Sequence, residues 1–222
     1  MSLGRDHRPL RDIVCDELRT QIIAGDYPPG AHLVEDRLAK ELGVSRNPVR
    51  EALRVLQAEG FIDMIPRRGA VVATLSDVEV RDIFDVRMAL ERLAAQLAAR
   101  RADKEDVDEL RRILAEAEAA LSQDDAAALT ELNAEFHEQV LIVSGNGYLR
   151  DVMLQLRGRM KWIFSRTAGS PRGQHSLDEH VQLADAIERG DEDAAAELAL
   201  RHVRAAADSY WSAREVADET AS

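Results

Sequence analysis

From residue 9 onward the chain alternates between two textures. In one, apolar residues return every three to four positions; in the other, short breaks gather glycine, proline and serine. The first period is helical, and the breaks are turn chemistry. Residues 9–24 carry Ile13, Val14, Leu18, Ile22 and Ile23 at helical spacing and stop at Gly25-Asp26-Tyr27-Pro28-Pro29-Gly30. Residues 35–42 form a shorter helix with Leu38, Ala39 and Leu42 inward, closed by Gly43. Residues 44–60 are the most sharply two-sided stretch. Val49, Ala52, Leu53 and Leu56 share one side, while Arg46, Arg50 and Arg54 fall at i, i+4 and i+8 on the other. Ser45 or Asn47 caps this helix, Pro48 fits its first turn and Gly60 ends it. The period then shortens. Residues 61–65 and 70–73 read as two strands around Pro66-Arg67-Arg68-Gly69, a hairpin with arginines at its tip.

The rest of the chain reads as helix. The stretches are 77–101 (Ile83, Val86, Leu90, Leu93 and Leu97 inward), 104–121, 124–143, 148–166, 176–189 and 191–214. Ser144-Gly145-Asn146-Gly147 and residues 168–173 are the main breaks, and the polar tail from Glu215 is expected to fray. Short breaks between long helices predict an antiparallel bundle. The fold expected is therefore mainly α. Residues 1–75 form a winged helix-turn-helix, and residues 76–222 form an all-α bundle of about six helices.

Composition narrows the class. The chain is 45% hydrophobic and 32% charged with few aromatics, a helix-forming balance that argues against disorder. No apolar run approaches the ~18 residues of a membrane span, and the first residues lack the apolar core of a signal peptide. The single Cys15 excludes an internal disulfide. A cytoplasmic protein without membrane contact is expected. The net charge of −12 is unevenly placed. Residues 1–75 hold 11 basic and 11 acidic side chains, so the whole deficit lies in residues 76–222. Residues 37–68 carry 7 basic against 4 acidic side chains. A locally basic patch on a neutral small domain suits a phosphate backbone, and the acidic domain should face away from it.

Several runs resemble a known family. Glu35-Asp36-Arg37-Leu38-Ala39, Gly43-Val44-Ser45-Arg46-Asn47-Pro48-Val49-Arg50-Glu51-Ala52-Leu53 and Glu59-Gly60-Phe61, with Tyr27-Pro28-Pro29-Gly30 before them, are similar to the N-terminal signature of the GntR family of bacterial transcription regulators. The resemblance implies a homodimer on a palindromic DNA operator. Ser45, Arg46, Asn47 and Arg50 would enter the major groove, and Arg68-Gly69 at the wing tip would meet the minor groove. The position after Glu35 is often basic in such relatives; here it is Asp36, with Arg37 next. Elementary chemistry agrees with these roles, since arginine pairs bidentately with guanine and Ser or Asn bonds phosphates or base edges. Arg54, two turns in, is expected on the backbone or in an ion pair.

Three histidines lie within predicted bundle helices, His137, His180 and His202, and Asn133 lies one turn before His137. A helix-borne histidine is ordinarily a satisfied core or surface residue, and spacing alone does not bring these three together. The segments around them (Leu132 to His137, Glu179 to Ile187, Arg201-His202-Val203) resemble the all-helical FCD domain of the FadR-like GntR branch. The resemblance implies that Asn133, His137, His180 and His202 hold a divalent metal ion, with zinc or nickel suited to imidazoles plus one oxygen. Many relatives have aspartate at the first of these positions; asparagine brings no charge. Arg87 and Glu91 match an Arg-x-x-x-Glu segment of that family. Arg87 either pairs with Glu91 along the helix or clamps a small organic-acid effector, and the second is preferred here. Arg159 is a further candidate anion contact, and His175 is expected on the surface.

The leading expectation is a regulator, a repressor, whose operator affinity responds to an organic acid and a divalent metal. A purely structural metal is one alternative. The rival class is a metal-dependent hydrolase-like enzyme. Against it, the chain has no HExxH, no nucleophile elbow and no phosphate loop.

Overall fold

A computed structural model describes residues 8–165 and 173–220. His7 and the expected break at 168–172 lie outside them. The described residues form nine helices and three short strands in two compact units.

The first unit contains α1 (Leu10–Ala24), β1 (His32–Leu33), α2 (Glu35–Glu41), α3 (Arg46–Ala58), β2 (Ile62–Ile65) and β3 (Gly69–Val72). Residues 155–165, from a later helix, belong to it as well. Its core is the set of apolar positions that share faces in the sequence: Leu18 and Ile22 of α1, Leu38 of α2, and Val49, Ala52 and Leu56 of α3, joined by Phe61, Ile62 and Trp162. The tight turn between α2 and α3 follows from Gly43. Its φ of 65° lets Val44 N–H reach the Ala39 carbonyl at 3.0 Å and so ties off the orphan carbonyls of α2. Gly60, at φ 74°, does the same for α3, with Phe61 N–H on the Leu56 carbonyl at 2.9 Å. Ser45 occupies the N-cap position of α3, but its side chain makes no capping bond.

β2 and β3 are the predicted hairpin, in antiparallel register from Ile62↔Val72 to Ile65↔Gly69. The sheet is wider than expected. His32 and Leu33 pair with Val71 and Ala70, giving the order β1-β3-β2. Two residues are too few for a period-2 signal, so this strand was not visible in the pattern. At the hairpin tip Arg68 N–H bonds the Ile65 carbonyl at 3.0 Å across Pro66-Arg67, and Arg67 takes φ 66°. That is the geometry of a type II turn, with proline where it is favoured and arginine where glycine is usual.

The second unit is all helix: α4 (Asp77–Arg101), α5 (Lys104–Ser122), α6 (Ala126–Val143), the first part of α7 (Gly147–Ser165), α8 (Gly173–Glu188) and α9 (Glu192–Thr220). Aspartates start three of them. Asp103 forms a capping box with Asp106, Asp125 caps through Ala128 N–H, and Asp191 accepts from Ala194 N–H. α9 runs past the position where fraying was expected and ends at Thr220. α5 packs on α6 and α8, and α8 packs on α9.

α4 keeps only part of its expected inward face. Ile83 is buried and Leu90 and Leu97 pack on the core, but Val86 and Leu93 are exposed, while Phe84, Ala94, Ala95, Ala98 and Ala99 are buried together with Arg87 and Glu91. Small side chains let neighbouring helices approach. A pattern weighted by hydrophobicity overlooks these alanines and the charge pair among them.

Candidate metal centre and nucleic-acid interface

The second unit brings three distant histidines together. His137 comes from α6, His180 from α8 and His202 from α9. One ring nitrogen of each lies within 4.8 Å of the other two, and the ring centroids are 4.6 to 5.0 Å apart. Each helix buries the face that carries its histidine. Phe136 stacks on the His180 ring at 4.4 Å and closes one side.

Two carboxylates orient the rings. Glu91 Oε2 lies 3.2 Å from His137 Nδ1, and Glu179 Oε2 lies 2.8 Å from His202 Nδ1. A carboxylate only accepts, so in each neutral ring the proton sits on Nδ1 and the Nε2 lone pair is left for another partner. The buried Nε2 atoms of His137 and His180 have no hydrogen-bond partner among the described residues. Imidazole nitrogens left unsatisfied in a core are costly unless something takes their lone pairs. Burial pushes His180 well below the usual imidazole range, and His137 and His202 push the same way. Burial also lowers His202, against the opposing pull of Glu179. Neutral imidazoles, two aimed by carboxylates, are the donor set of a divalent transition-metal site. The residues fit that group.

Glu91 is the pivot of this cluster. Burial alone would raise it, but Arg87, His137 and His202 hold it well below the ordinary carboxylate range. Arg87 Nε donates to Glu91 one turn away, and both side chains are about nine-tenths buried. Of the two readings of Arg87, the structure thus contains the helix pair. Asn133 is half-buried, and its Oδ1 accepts a hydrogen bond from Ser176 Oγ at 3.3 Å, which leaves one carbonyl lone pair. Arg159 stands elsewhere, in the first unit, where its Nε donates to the Glu59 carbonyl at 2.7 Å. Beside His137 and Glu91, lined also by Met153 and Leu183, lies a cavity of about 10 Å3. That is room for about one water.

The sequence carries no signal for Glu91 and Glu179 as ring-orienting groups. Its spacing pairs Glu91 only with Arg87. Glu179 adjoins His180 in the chain but serves His202, a pairing that only the packing of α8 on α9 creates.

In the first unit, the start of α3, the start of α2 and the wing line one groove of about 480 Å3. Arg46, Arg50, Arg54, Arg68 and Gly69 all reach it. Ser45 and Asn47 lie at the first turn of α3 and are exposed or nearly so. Arg37 sits aside on α2, with an Nη2 bond to the His32 carbonyl at 3.3 Å and a long pair to Glu41. The arginines of α3 have acidic partners that the sequence reading did not assign. Glu35 holds Arg50 through two nitrogens, at 3.1 and 2.8 Å, and Asp36 holds Arg46 Nε at 3.0 Å.

A basic helix-turn-helix with a wing, followed by an all-helical unit that holds a histidine cluster, defines a DNA-binding regulator fold. Comparison with known proteins agrees. Residues 10–72 match the profile of the bacterial regulatory proteins of the gntR family, and residues 82–205 match the FCD domain. The chain belongs to the GntR family and carries an FCD domain. It is a DNA-binding transcriptional regulator and not an enzyme, as its relatives are. It is 32% identical over 192 residues to the gluconate operon transcriptional repressor of Bacillus licheniformis, covering 81% of this chain and 76% of that one. It is 31% identical over 214 residues to the galactonate operon transcriptional repressor of Escherichia coli, covering 85% and 91%. Among solved structures, E. coli McbR/YncC superposes with a TM-score of 0.78 over 93% of this chain and 99% of that one, at 22% identity, and so shares the fold. No helix among the described residues is long and apolar enough to cross a membrane.

Proposed function

We propose that this regulator is a repressor whose grip on a palindromic operator is set by a small organic acid and a divalent metal bound in the FCD domain. The observation that carries this reading is the buried histidine triad with two unpartnered Nε2 atoms and a carboxylate behind two of its rings. His137, His180 and His202 would hold the ion, with Asn133 Oδ1 as the oxygen donor one turn before His137. When bound, the metal supplies a Lewis-acidic anchor for a carboxylate. Zinc and nickel are the ions these donors favour.

The chain's own residues shape the response. Glu91 fixes the His137 ring and neutralises Arg87 in the core, so an incoming acid that recruits Arg87 must compete with Glu91. The cavity beside the triad, at about 10 Å3, is far smaller than a multi-carbon acid. Such an acid therefore favours an opened arrangement of the helices over the closed one. A ligand that discriminates between two arrangements shifts their populations and can change affinity elsewhere. The relatives named as gluconate and galactonate operon repressors make sugar acids the first class to try.

On the DNA side, Ser45, Arg46, Asn47 and Arg50 would read the major groove, and Arg68 with Gly69 the minor groove, with Arg37 on the flanking backbone. A homodimer would present two such heads. The exposed Val86 and Leu93 on α4, one heptad apart, supply apolar surface for pairing.

The test is a mobility-shift titration on promoter DNA of the chain's own gene and its neighbours. It is run on apo protein, on zinc- or nickel-loaded protein, and on loaded protein with a panel of sugar and hydroxy acids. Tight binding that weakens at least about tenfold with one acid is expected, which corresponds to a coupling of about 1.4 kcal/mol. Binding indifferent to metal and to every acid would leave a DNA reader with a structural triad.

A further inference from the structure

We infer that Glu35 and Asp36, the acidic pair at the start of α2, set sequence specificity by holding the guanidinium planes of Arg50 and Arg46. The inference rests on the assignment of α3 as the base-reading helix.

The geometry comes first. Arg50 turns its Nε and Nη2 edge toward Glu35, at 3.1 and 2.8 Å. A guanidinium has two edges able to form paired hydrogen bonds. With the Nε edge taken, the Nη1/Nη2 end is presented for a second bidentate contact, which is the contact guanine O6 and N7 accept. Arg46 is held similarly, by Asp36 at Nε (3.0 Å) and more loosely by Glu35 at Nη2 (3.5 Å). Both arginines and both carboxylates line the same groove, so the pairs stand on the face argued to meet DNA.

Folding stability is a weak explanation for these pairs. Arg46 is 57% and Asp36 68% exposed, and in the other pair Arg50 is 47% exposed against 27% for Glu35; ion pairs with exposed arginines add little to folding. They also carry a cost in function, since two carboxylates on a DNA-facing surface repel phosphates and lower affinity for every sequence alike. What they supply is orientation. A loose arginine reaches any nearby phosphate; one fixed in plane makes its full contact only where a guanine edge coincides. The pairs thus exchange sequence-independent affinity for discrimination.

The opposite role is also physically coherent: the carboxylates could mask the arginines and be displaced by DNA. The two differ in sign, so one experiment separates them. Duplexes are selected from a random pool with the wild-type protein. Affinities for the selected duplex and for random duplex are then measured at fixed salt for wild type, Glu35→Gln, Asp36→Asn and Arg50→Ala, with thermal melts to verify folding. Orientation predicts that Glu35→Gln and Asp36→Asn bind random DNA as well as or better than wild type. Their preference for the selected duplex should fall about tenfold each. Repeating the selection with each variant should show a weakened guanine bias at the matching positions. An unchanged or increased preference in these two variants, with Arg50→Ala still losing it, would overturn the inference and leave the helix assignment standing. Failure of Arg50→Ala to lose preference, or of wild type to enrich any sequence, would overturn both.

Discussion

Glu179 shows how a residue with no chemistry of its own shapes a site. Its carboxylate fixes the His202 tautomer from a position only a quarter exposed. Glu179→Gln keeps the shape and removes the charge. If the triad binds metal, the loss in affinity for zinc should be ~10- to 100-fold, as for other groups that orient ligating histidines. The melting temperature of the metal-free protein should hardly move. Equal affinity in a competition titration against a chromogenic chelator would show that Glu179 does not tune the ring. The equivalent change at Glu91 is a poorer probe, because it also disrupts the buried Arg87–Glu91 pair, and breaking a buried pair costs about 3–5 kcal/mol. At this scale the sequence was partly legible. His137, His180 and His202 were identifiable only through their resemblance to a family, since i, i+4 spacing links Asn133 to His137 but nothing in the chain links α6 to α8 and α9. Their orienting carboxylates were invisible, because each serves a histidine on another helix.

At the scale of elements, most of the architecture follows from period and punctuation. The glycines that end α2 and α3 take left-handed φ and leave Schellman bonds behind them, so both helix ends were readable from composition. α4 is readable as a helix and in part in rotation, since Ile83, Leu90 and Leu97 do face the core. Its C-terminal half is buried largely through alanines, which carry little weight in a hydrophobic pattern beside Val86 and Leu93. The packing makes a specific prediction. Ala98 is fully buried in the core of the second unit, so Ala98→Leu forces neighbouring helices apart and should cost ~1–3 kcal/mol in urea unfolding. An unchanged denaturation midpoint would mean that the α4 face is looser than described. β1 was missed for the plainer reason that His32 and Leu33 are held by β3 rather than by any pattern of their own.

Residues 1–75, the DNA-binding part, are neutral, and the longer helical part carries the entire net charge of −12. That division was evident from charge counts alone, and it keeps the acidic surface useful only away from phosphate. The exposed Val86 and Leu93 belong at this scale too. If they form the dimer contact proposed above, Val86→Glu with Leu93→Glu should convert a dimer to a monomer in sedimentation equilibrium and weaken operator binding by well over about tenfold, through loss of the second head. A double variant that sediments like wild type would move the dimer contact to another face. How many chains assemble, and around which axis, was never a property of the hydrophobic period, because it depends on which stripe a second copy covers.

Metal binding by the histidine triad underlies the whole regulatory reading. Isothermal titration of zinc and nickel into chelator-stripped protein tests it most directly, on wild type and on His137→Ala, His180→Ala and His202→Ala, with circular dichroism to verify that each variant keeps its helices. The account predicts about one tight site per chain in wild type, with proton release small at neutral pH because the buried imidazoles are already neutral, and loss of that site in each folded variant. Binding that is absent in wild type, or that persists unchanged when His180 is replaced, would contradict it.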